Sequence, residues 1–158
     1  MKALLFLVAP VALLATPANA KTPSSFLHDA IQGDNSEMTL GALAATRGDS
    51  AGTRTFGRTL RADHAKAKMD AVALARRDRV AIPSDMMPEA RTEYRKLQRM
   101  SGPAFDREFA RYMVDDHRKD IAEFEDQART GTRGTAALAR ATLPDLRKHL
   151  RMAEALVR

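Results

Sequence analysis

No cysteine occurs in this chain, which excludes disulfides, thiolate metal ligands, a cysteine nucleophile and lipid attachment at an N-terminal cysteine. Aromatic side chains are scarce: six phenylalanines, two tyrosines and no tryptophan. Stacking on nucleic-acid bases needs more of them. The formal net charge of +6 does not point to a phosphate backbone either. Both signs are interleaved, as in Arg76-Arg77-Asp78-Arg79 and Asp115-Asp116-His117-Arg118-Lys119-Asp120, the pattern of solvated helix faces rather than of one basic patch. No nucleic-acid partner is expected. Serines fall in caps and loops and none sits in a Gly-x-Ser-x-Gly turn. Gly131-Thr132-Arg133-Gly134 lacks the Lys-Ser/Thr that would complete a phosphate loop.

A single long apolar run is present, at the very start. Ala3 to Ala15 is almost wholly apolar, follows Lys2, and is closed by Ala18-Asn19-Ala20. The run is short for a bilayer span, which needs about 20 residues, and the small-x-small flank is what signal peptidase cuts after. The expectation is a signal peptide over residues 1–20, cleaved after Ala20, and a periplasmic or secreted domain over 21–158 with no membrane span of its own. That remainder is the size of one domain with one core.

Glycine and proline divide the remainder into helices. One should run from about Ser25 to Arg47, before Gly48, and a second from about Ser50 to Arg79 with Asp49 or Ser50 as cap. Pro83, Pro88 and Gly102 interrupt the next stretch, leaving a short helix near Glu89 to Arg99. A third long helix opens at Ser101-Gly102-Pro103 and persists to about Arg129; a fourth fills Thr135 to Val157. Pro144 should kink the fourth or split it, with Thr142 available as a new cap. Strand-like alternation is absent. The fold class is all-α, an antiparallel four-helix bundle with the short helix in the crossover between the second and third.

Within this frame one pattern recurs. Phe56, Arg58, Leu60, Asp63 and His64 are matched 53 positions later by Phe109, Arg111, Met113, Asp116 and His117. Each copy sets a carboxylate beside an imidazole at the margin of an apolar stripe, so the two histidines should approach one another across the bundle. Asp120 falls near the middle of the third long helix's stripe. In the first helix Glu37 lies at the centre of a stripe of mostly small residues (Ala30, Gly41, Ala44), which should leave room beside it for more than a side chain. His149 edges the stripe of the fourth. An isolated glutamate in an apolar stripe is costly and should find a cation. Glu37, His64, His117 and His149 therefore form one candidate site for a divalent transition metal, with Asp63, Asp116 and Asp120 as further ligands or as partners that orient the imidazoles. Affinity should fall as pH drops through about 6.5, where imidazole protonates. His28 reads as a surface residue. The competing reading of the same residues is a polar core with no ligand.

Asn35-x-Glu37, Phe56 through Asp63-His64, Gly102-x-x-Phe105-Asp106, Met113-Val114-Asp115-Asp116-His117 and Leu143-Pro144-x-Leu146-x-x-His149 together resemble the DUF4142 family of exported bacterial proteins. The resemblance covers nearly all of residues 21–158 and implies a ferritin-like helical bundle, while leaving activity open. A ferritin-like di-iron centre uses Glu-x-x-His on two helices. Here Arg61, Val114 and Leu146 stand three positions before the three histidines, so ferroxidase chemistry is not implied. A mononuclear, histidine-rich site suited to zinc, copper, nickel or iron fits better. The functional expectation is metal binding for storage, sensing or buffering; the alternative is a non-catalytic envelope protein that contacts a protein partner.

Overall fold

The computed structural model describes residues 21–157, and the expected signal peptide lies outside them. Five helices follow one another: α1 (Pro23–Arg47), α2 (Ala51–Arg77), α3 (Pro88–Leu97), α4 (Gly102–Thr130) and α5 (Arg133–Val157). Among the described residues there is no strand. No helix of the described residues is long and apolar enough to cross a membrane.

Local chemistry sets these boundaries. Thr22 and Ser50 each accept a hydrogen bond from the backbone N–H three residues on, which satisfies one of the orphan donors that open α1 and α2. α1 therefore begins two residues earlier than its periodicity suggested. α2 stops at Arg77, because Arg79 takes a left-handed conformation (φ 57°) and the Val80 N–H turns back to the Ala75 carbonyl. α5 begins at Arg133, two residues before the expected Thr135, with Gly134 in its first turn, and Gly131 caps the end of α4. α5 also runs through Pro144 as one helix. Thr142 is not a cap there: its hydroxyl donates back to the Leu138 carbonyl at 3.0 Å, as a helix-interior threonine does.

α1 packs along α2, α4 along α5, and α2 against α5, with α3 bridging α1 and α4. Two apolar clusters result. One gathers Leu40, Phe56, Leu60, Leu97, Phe105, Phe109 and Met113; the other gathers Phe26, Leu27, Ile31, Ala71, Ala75, Ala139 and Leu143. Between them runs a polar layer. α1 passes from Ile31 through Asp34 and Glu37 to Leu40, and α2 from Leu60 through His64 to Ala71; α4 and α5 do the same at His117 and His149.

One expectation is overturned at this level. Of the small residues in α1, Gly41 and Ala44 open no space beside Glu37, because α2 fills it. A Cβ on Gly41 would stand 2.7 Å from the Gly57 carbonyl oxygen, and one on Gly57 would stand 2.5 Å from the Gly41 oxygen. The small residues serve a close crossing of two backbones. Open space exists one turn on the other side of Glu37, at Gly33, where an added Cβ would meet nothing within 4 Å.

Candidate metal centre

His64, His117 and His149 are 4%, 0% and 1% exposed, and Glu37 is 1% exposed. The three rings form a triangle with centroids 6.1 Å (His64–His117), 5.2 Å (His64–His149) and 5.3 Å (His117–His149) apart. One nitrogen of each ring lies within 4.8 Å of the other two, and Glu37, Asp116 and His117 form a second such group. The two copies of the repeated frame thus bring their histidines together as its spacing implied.

One ring nitrogen of each histidine is held. His64 Nδ1–H donates to Asp34 Oδ1 at 2.9 Å, His117 Nδ1–H to the Met113 carbonyl at 2.9 Å, and His149 Nε2–H to Asp63 Oδ2 at 2.8 Å. Each partner only accepts, so the proton of the neutral ring is fixed there and the opposite nitrogen carries a bare lone pair. Those opposite atoms, His64 Nε2, His117 Nε2 and His149 Nδ1, are buried without a hydrogen-bond partner among the described residues, as are both oxygens of Glu37. Five orphaned polar atoms in one layer are a large departure from the rule that buried polar groups are paired. Glu37 Oε2 stands 4.0 Å from His64 Nε2, too far for a hydrogen bond. Two ligands each about 2.0–2.1 Å from a tetrahedral ion stand about 3.4 Å apart. Buried groups of this kind could hold a metal ion.

Protonation follows the same geometry. Burial, reinforced by the neighbouring His64 and His149, holds His117 well below the usual imidazole range. Burial likewise lowers His149 to about 4, against the pull of Asp63. Protonation of His117 and His149 therefore competes with metal only below the pH of about 6.5 expected from sequence. Burial first, then the charge and the direct approach of the Asp116 carboxyl, and after them the charge of Asp120, push Glu37 well above the ordinary carboxyl range. Glu37 is thereby a further group at which a proton competes with metal.

The sequence-predicted aspartates divide. Asp63 holds His149 and also accepts from Lys148 Nζ at 2.6 Å. Asp116 comes beside Glu37 and His117, and Asp116 and Asp120 both line a cavity of about 420 Å³ that His64 also borders. His28 is a partly exposed residue bonded to Asp29. Asp34 was not anticipated. It stands one turn before Glu37 on the same face of α1, an i, i+3 spacing that could have flagged it.

Three comparisons bear on kinship. No curated protein matches the chain. A solved structure, a DUF305 fragment from Deinococcus radiodurans, superimposes with a TM-score of 0.75 at 19% identity, covering 86% of this chain and 96% of that one. At that identity the likeness speaks for the fold alone. The sequence pattern of DUF4142, a domain of unknown function, matches residues 9–156, and the chain belongs to that family.

Proposed function

We propose that this protein is an exported, antiparallel four-helix bundle that binds one divalent transition metal through His64, His117, His149 and Glu37, as a metal-buffering rather than a catalytic protein. One observation carries the reading: three buried imidazoles lie together, each with one nitrogen locked by an acceptor and the other bare. Such outer partners orient metal-bound histidines and raise their basicity. A self-sufficient polar core would instead pair glutamate with histidine, and Glu37 makes no such bond. Three nitrogens and one carboxylate oxygen suit zinc or copper over magnesium or calcium. Four protein ligands leave no open position for substrate, which favours holding the ion over chemistry on it. Export rests on residues 1–20, whose cleavage after Ala20 intact-mass measurement would reveal. Elemental analysis and zinc and copper titration of the untagged mature protein test the centre: one tightly held ion per chain is expected, and a chain that binds neither metal tightly would reduce the cluster to a polar core.

A further inference from the structure

A cavity of about 420 Å³ opens beside the imidazole layer. Carboxylates from α1, α3 and α4 line it, among them Asp34, Glu93, Asp116 and Asp120, and they outnumber its two cations, Arg111 and Lys119. This is a local excess of negative charge in a chain whose net charge is +6. An acidic lining alone would mean only solvated carboxylates. The second observation is Glu37, 1% exposed, whose two oxygens lack any hydrogen-bond partner among the described residues and which lies with Asp116 and His117 in a single group of ligand atoms within 4.8 Å. Asp116 belongs both to that group and to the cavity wall, so Glu37 is joined to the cavity through Asp116, and the buried His64, whose Nε2 also lacks a partner, lines the same space.

We propose that this cavity is the loading route of the imidazole centre, with Glu37, Asp116 and Asp120 forming an oxygen-ligand subsite that receives a hydrated divalent cation before it passes to the imidazoles. The inference rests on the metal-centre reading and adds to it a route and a second, harder site. Size permits it: six waters at about 30 Å³ each fit the cavity with the ion. Charge favours it, because walls of one sign focus the field and raise the local concentration and entry rate of the opposite ion. Ligand type orders the steps. Carboxylate and water suit a cation still hydrated, while imidazole suits the dehydrated transition metal. The same field disfavours anionic substrates, consistent with a protein that holds cations.

Cobalt(II) and manganese(II) separate the two sites. Cobalt at the imidazoles gives a visible absorption band whose growth can be followed by stopped flow, and manganese, which prefers oxygen ligands, can be counted by electron paramagnetic resonance. In Asp116→Asn/Asp120→Asn, cobalt loading should be at least about tenfold slower at low salt, the band that finally forms should still report nitrogen ligation, and bound manganese should be lost. Wild-type loading should itself slow steeply as ionic strength rises from about 0.01 to about 0.1 M, where the screening length shrinks from about 30 to about 10 Å; this arm needs no variant to fold. Wild-type rate and manganese binding in the double variant, or a salt-independent rate in wild type, would overturn this inference alone. A wild type with no nitrogen-ligated cobalt band would overturn the imidazole centre and the route together.

Discussion

The repeated frames on α2 and α4 coincide in their apolar parts and diverge in their polar ones. Phe56 and Phe109 are both buried, with ring centroids 5.8 Å apart, and Leu60 and Met113 join the same cluster. His64 and His117 meet. Their supports differ: a carboxylate from another helix, Asp34, holds His64, whereas the Met113 carbonyl of its own helix holds His117. Matched aspartates also part ways. Asp63 supports His149 and is paired with Lys148, while Asp116 faces the unpaired Glu37. A helical frame fixes which side of the stripe a residue occupies; neighbouring helices decide what it meets there.

Breaking the comparison at its centre gives the largest effect. His64→Ala and His117→Ala should each weaken zinc binding, measured calorimetrically on untagged protein, by more than the about 10- to 100-fold typical of losing an outer partner. Retention of wild-type affinity by either variant would mean the two frames are not equivalent contributors. Asp34→Asn sharpens the asymmetry. It should cost about 10- to 100-fold in zinc affinity, and Asp116→Asn should cost less at equilibrium, because no carboxylate orients His117. An Asp116→Asn loss larger than that of Asp34→Asn would reverse the assignment.

Helix number and near-boundaries were legible because Gly48, Pro88, Gly102 and Gly131 interrupt the periodicity at the places where the helices end or begin. Glu37, His64, His117 and His149 were legible because a polar residue in or beside an apolar stripe must lie in the interior. Asp34 was missed although its spacing from Glu37 was available, since an aspartate off the stripe's centre carries no signal until its partner on α2 is known. Gly41 was misread for a related reason. A small residue in a stripe serves a cavity or a close helix crossing equally well, and only the position of Gly57 on the facing helix distinguishes them.

Glu37→Gln should separate stability from binding. Burial and neighbouring carboxylates raise the Glu37 pKa in the folded state, so ionising it above the unfolded value, about 4.3, weighs against the fold. The neutral amide removes that burden. Metal-free Glu37→Gln should therefore be more stable than metal-free wild type at pH 7, by about 1–3 kcal/mol, in thermal unfolding. The advantage should vanish as pH falls below about 4, where the carboxyl is protonated folded or unfolded. With zinc present the order should invert, since the amide is the poorer ligand. A metal-free variant less stable than wild type at pH 7 would show that Glu37 is satisfied without an ion.

The smallest effect lies where the two frame-bearing helices begin. At the start of α2 the Ser50 hydroxyl accepts from Thr53 N–H, and Asp106, reaching over from α4, accepts from the N–H groups of Asp49 and Ser50, both at 2.8 Å. α4 opens at Ser101 with no side-chain cap bond. Burial alone would raise the Asp106 pKa, but the Ser50 and Asp49 amides outweigh it and hold it below the ordinary value. A carboxylate lowered on folding contributes stability above its unfolded pKa, about 3.9, and loses that contribution as pH falls through the lower folded value. Asp106→Asn should thus cost about 1 kcal/mol at pH 7, a deficit that closes as pH falls from the unfolded value through the lower folded one, whereas Ser101→Ala should change thermal stability little at any pH. Equal costs at the two sites, or an Asp106→Asn deficit that persists into acid, would mean that the anionic clamp does not distinguish the start of α2 from that of α4.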